Sequence, residues 1–79
     1  MDDLILEDIL IKGHYDLLLK VGNKYEIHYG IHQGIYEYVG TTKDREHLFK
    51  NIKTDKITFG YYSHISPFEF TAIVRNLNN

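Results

Sequence analysis

Histidine and tyrosine are the side chains here with the most chemistry to offer: five and seven of them in 79 residues, with no cysteine. His28 and His32 form an H-x3-H pair, a spacing that holds a divalent metal when both rings project from one helical face. The pair instead follows a stretch of alternating apolar residues, and four residues of extended chain set the two Cα atoms ~13 Å apart. His14, His47 and His64 stand at no metal-binding spacing to them, so no metal site is expected. Covalent catalysis is equally unsupported. The only serines are Ser63 and Ser66, Ser66 is wanted as a helix cap, and there is no G-x-S-x-G elbow or glycine-rich phosphate loop. The acidic pairs Asp2-Asp3 and Glu7-Asp8 suit a solvated face and a helix-dipole complement. The expectation is a protein that is not an enzyme and carries no cofactor.

The densest tyrosine motif is "GIYEYVG", residues 34 to 40. Its words GIY and YVG resemble the two halves of the signature of the GIY-YIG nucleases, in which the two words lie on neighbouring strands so that both tyrosines meet in one site. Here Glu37 alone separates them, which places Tyr36 and Tyr38 on a single strand. Sliding the first word back to the preceding strand puts Ile27 where the tyrosine belongs. Leu48 stands where that family has an arginine, and Glu69, the one late candidate for a metal-binding glutamate, is a capping residue. The nuclease assignment fails on these residues, and "GIYEYVG" is read as a strand.

Binding is what remains. A net charge of -2 supplies no global field toward DNA or an anionic membrane. Five of the nine basic residues, Lys43, Arg45, Lys50, Lys53 and Lys56, do fall in one segment, but Asp44, Glu46 and Asp55 among them leave it at +2. Tyrosines exposed on a sheet are good protein-interface anchors, large in area and low in entropy cost. On that ground Tyr36, Tyr38 and Tyr62 are the expected protein-binding residues. The alternative is single-stranded nucleic acid, stacked on the same tyrosines and held by Lys50, Lys53 and Lys56.

No apolar run approaches the ~20 residues of a spanning helix, and acids occupy the N-terminus where a secretion signal would be basic. The absence of cysteine gives no support to a disulfide scaffold. The expected location is therefore the cytoplasm. Ten isoleucines, seven lysines, seven tyrosines and five asparagines against one alanine point to an AT-rich coding sequence, as in low-GC bacteria and their phages. Together these features predict a non-enzymatic protein-binding module of such a source, an inhibitor that docks on and blocks a larger host or defence protein. Dimerisation is a second route by which so small a fold is reinforced.

The elements that must position these residues follow from periodicity. One domain, 1–79, is expected. Residues 3–12, "DLILEDILIK", fit either helix or strand, with i,i+4 pairs Ile5-Ile9 and Leu6-Leu10 favouring helix. "YDLLLKV" and "KYEIHYGI" alternate as strands, and burial predicts an odd-length loop or a bulge pairing Leu19 with Ile27 and Leu17 with Tyr29. A tight Gln33-Gly34 turn would set Tyr29 opposite Tyr38 and Ile31 opposite Tyr36. "TTKDREHLFKNI" reads as a short helix capped by Thr41 or Thr42. "KITFGYYSHI" is a fourth strand. "SPFE" opens a C-terminal helix, with Ser66 as N-cap, Pro67 at the first position, Glu69 at the third, and Phe70, Ile73, Val74 and Leu77 on its inner face. The predicted class is α+β: a mainly antiparallel sheet of about four strands, a meander plus one, with two helices on one face and an uncertain N-terminal element.

Overall fold

Alternation of apolar and polar side chains sets most of the strands in the computed structural model, which describes residues 4–30, 33–58 and 65–77. The elements run β1 Ile9–Lys12, β2 Asp16–Leu19, β3 Lys24–Ile27, β4 Gly34–Thr41, β5 His47–Asn51, β6 Ile57–Thr58, α1 Pro67–Ile73 and β7 Val74–Asn76. They form two antiparallel sheets. Strands β1 and β2 pair as a ribbon, and the larger sheet has the order β6-β5-β4-β3-β7, with two described residues in β6. The class is α+β with antiparallel sheets, as the sequence predicts, but the described residues hold one helix and not two.

The core lies between one face of the large sheet and a cover made of the ribbon and α1. Tyr25, Ile27, Tyr36, Tyr38, Phe49 and Val74 come from the sheet, Leu17 and Leu19 from β2, and Phe70 from α1; all are buried. Aromatic rings dominate it, with Tyr38 and Phe49 at 5.3 Å between centroids and Tyr25 edge-on to Phe49 at 6.1 Å. Each such ring contributes roughly 1.5–3 kcal/mol by burial, with a further ~0.5–1.5 kcal/mol from ring geometry. The opposite face of the sheet is mixed, with Ile35 and Leu48 half-buried and Ile57 exposed among charged residues. There Glu26 pairs with Arg75 across β3 and β7, and Glu37 stands opposite Lys50 across β4 and β5.

The second predicted helix is a hairpin. Thr42 is indeed a cap, but of a turn: its hydroxyl accepts from the N–H groups of Asp44 and Glu46, while Arg45 N donates to Thr42 O at 2.9 Å. Arg45 takes a φ of +68° within the five-residue connection, 42–46, that joins β4 to β5. The next turn repeats the device. Asn51 Oδ1 accepts from Lys53 and Thr54, and Asp55 adopts a φ of +64°. A hydroxyl or amide accepting from N–H groups two to four residues ahead looks the same in sequence whether a helix or a hairpin follows.

The N-terminal segment is extended, against the helical preference of its i,i+4 pairs. Ile5 bridges to Thr41, and β1 then pairs with β2, Leu10 opposite Leu18. Because β1 takes β2 as its partner, Leu17 and Leu19 do not pair with Tyr29 and Ile27 as expected. A turn closed by Asn23 N to Lys20 O releases the chain into β3 instead, and β3 pairs with β4 and β7. Tyr25 lies opposite Tyr36, so the aromatic cross-strand pair exists in a shifted register with the same facing. At the other end the N-cap forms as read, Ser66 Oγ accepting from Glu69 N at 3.2 Å with Pro67 at the first position. The helix stops at Ile73, earlier than its spacing implied, and Val74 turns into β7 beside Ile27.

Two glycines are needed for close approach. A Cβ on Gly13 would strike the Pro67 carbonyl and the Thr71 hydroxyl, so this residue seats the ribbon on α1. Gly40 follows a bulge in β4, with φ +146° and the Ile5 carbonyl 3.2 Å from where its Cβ would stand.

Candidate binding cleft

Three elements leave a cleft of about 530 Å³ between them: β1, the turn joining β4 to β5, and the start of α1 at Pro67. That volume is in the range of ligand sites, which are largely apolar with a few convergent polar groups. On one side stand Ile9, Leu10, Ile11 and Lys12, four consecutive residues. Side chains of both faces of β1 therefore border it, and the strand meets the cleft by its edge. That edge is bare: among the described residues β1 pairs with β2 alone, and no other backbone bond reaches residues 7 to 12.

On the other side Thr41 and His47 form the floor, and Lys43 and Arg45 stand above them. Thr41 is 5% exposed, and its hydroxyl bonds that of Tyr38 and lies 3.3 Å from His47 Nδ1. Burial pushes the His47 imidazole below its ordinary pKa, which keeps the ring neutral. Burial likewise pushes the Tyr38 phenol up, with the bond to Thr41 acting the other way. The floor is thus uncharged, with the Thr41 hydroxyl engaged by Tyr38 and His47. The charges bordering the cleft are mainly positive, Lys12, Lys43 and Arg45 against Glu7.

Beyond the cleft the ribbon shows a second apolar face. Leu10 is 49% exposed and its register partner Leu18 40%, with Leu6 close in sequence at 64%. Phe68 stands edge-on to His14 at 5.2 Å, where α1 meets the turn between β1 and β2.

The residues expected to bind from sequence lie elsewhere. Tyr36 and Tyr38 are 2% and 0% exposed, so the expectation that they stand free as anchors does not hold. Both belong to the face of β4 that the ribbon and α1 cover, and neither offers area to a partner or a base. Tyr29 is half-buried against the same core. Tyr62 lies outside the described residues. Lys50 is half-buried, 3.9 Å from Asp55, while Lys53 and Lys56 are exposed in the following turn. The basic segment does not form one patch. Strand β5 holds Lys43 and Arg45 at one end and Lys53 and Lys56 at the other, roughly 17 Å apart for a strand of this length.

His28 contacts Glu26 at 3.4 Å, and the described residues contain no group of three or more potential metal ligands. Partial burial raises the Glu26 carboxyl, but the Arg75 bond, the Arg75 charge and His28 outweigh it, and the net shift is downward. No helix among the described residues is long and apolar enough to cross a membrane.

The sequence reading missed Leu10, Arg45 and His47. One signal was available for the first. "ILIK" followed by "DLLL" leaves apolar residues on both faces if the two segments are paired strands, and one of those faces has to lie outward. Arg45 and His47 gave none, because their place depends on the turn. Compared with family models, curated proteins and solved structures, the chain matches none.

Proposed function

We propose that this chain is a non-enzymatic protein-binding module that docks on a larger protein through the β1–β2 ribbon and the cleft beside it. The observation that carries this reading is the bare edge of β1, an unpaired row of backbone donors and acceptors bordered by apolar side chains. The exposed pair Leu10 and Leu18 extends the apolar surface at the same place. Composition supports a low-GC bacterium or its phage as the source. In a domain this small the simplest consequence of docking is to block the partner, so we assign it as an inhibitor of a host or defence protein.

The test is affinity capture from lysate of the host, with and without nuclease, using the wild-type chain and a Leu10→Lys, Leu18→Lys variant shown to fold. The expected result is one stoichiometric protein that survives nuclease and is lost with the variant. Material that disappears with nuclease, and depends on Lys50, Lys53 and Lys56, would replace this reading with single-stranded nucleic-acid binding. Capture that the variant leaves unchanged would remove the ribbon as the docking site.

A further inference from the structure

We infer that the cleft takes an extended, acidic segment of the partner, which adds to β1 as a third strand of the ribbon. This rests on the docking reading and specifies the chemistry of what docks. Because four consecutive residues of β1 border the cleft and the strand pairs only on its far side, alternate N–H and C=O groups of β1 project into it. A helical occupant satisfies its own backbone and would leave those groups unpaired, whereas an extended one matches them bond for bond. Apolar side chains of such a strand meet Ile9 and Ile11, both half-buried. The remaining cleft charges select its polar residues: Lys12, Lys43 and Arg45 favour carboxylates, with Glu7 opposing at one end.

The experiment is selection of random dodecapeptides displayed against the immobilised full chain, followed by hydrogen exchange of the chain with an enriched peptide. Peptides alternating apolar residues with Asp or Glu are expected, and they should protect the amides of residues 9 to 12. Lys12→Gln and Arg45→Asn should each weaken the peptide by about tenfold, as should raised salt. Asparagine is chosen because it tolerates the positive φ at 45, and Lys12→Gln tests the charge where no such backbone demand exists. Absence of enrichment, enrichment of basic or helically patterned peptides, or protection confined to another strand would overturn the inference. Partner capture that depends on Leu10 and Leu18 while no acidic peptide is selected would leave the docking reading in place and remove this one. Loss of both would remove both.

Discussion

The two sheets solve the same problem to different degrees. The large sheet has one apolar face, covered by the ribbon and α1, and one mixed face on which Glu26 with Arg75 and Glu37 opposite Lys50 stand among Ile35, Leu48 and Ile57. Of its outer strands, β7 spans three residues, too short to template another chain. The ribbon is apolar on both faces, with Leu17 and Leu19 inward and Leu10 and Leu18 outward, and its edge strand is uncovered. The edge at β7 is blunted, and the edge at β1 is open among the described residues. The first sheet supplies most of the buried core, and the second carries the open edge on which the proposed docking rests.

The contrast is broken most severely from the core side. Phe49→Ala removes a fully buried ring that meets Tyr25, Tyr38 and Phe70, at a cost of ~3–5 kcal/mol. A domain of this length has ~4–12 kcal/mol in all, so urea denaturation should show a chain largely or wholly unfolded at 25 °C. Next is the joint between ribbon and helix: Gly13→Ala forces a methyl into the Pro67 carbonyl and the Thr71 hydroxyl. A loss of ~1–3 kcal/mol is expected, with exchange of the β1 and β2 amides accelerating before that of β4.

A smaller effect tests the floor of the cleft. Since burial lowers the folded-state pKa of His47, the unfolded chain binds the proton more readily. The ring's contribution to stability is complete above the unfolded value of about 6.5 and is lost as pH falls below it toward the lower folded value. Thermal unfolding between pH 7.5 and 5 should therefore decline less steeply for His47→Gln than for wild type. Parallel curves would show that the ring is not protected from water. The smallest effect belongs to the outer ribbon. Leu10→Thr with Leu18→Thr should change stability by no more than about 0.5 kcal/mol while reducing partner capture, and a large destabilisation would show that these leucines are part of the core after all.

What was legible in the sequence is what depends on neighbours a few residues away. Ser66, Pro67 and Glu69 announced α1 because a capping box is complete within four positions. Alternation gave β3 and β4, and parity alone puts Tyr36 on the side of Tyr25. Taken further, that parity places Tyr36 and Tyr38 in the core. The expectation of free tyrosines came from supposing that some of them lie on the open side of the sheet, when Tyr25, Tyr36 and Tyr38 share the covered one. The hairpin at Thr42 was hidden for a different reason: its hydroxyl makes the bonds of a helix cap, and only pairing of β5 with β4 decides that a strand follows. The cleft was not legible, since its walls come from residues 5 to 12, 41 to 47 and 67.

The position of β7 also bears on how quickly this molecule can form. Its pairing with β3 and the bond from the Tyr15 hydroxyl to the Val74 carbonyl, 59 residues away in sequence, join the last described element to the first third of the chain. Closing loops of that length must precede much of the reward, so folding should occupy milliseconds to seconds and not microseconds. During synthesis the core cannot seal until residues 74 to 76 have left the ribosome. Until then the bare edge of β1 and the uncovered rings of β4 are exposed together, and that interval is when the chain is most open to association with a partner or with itself.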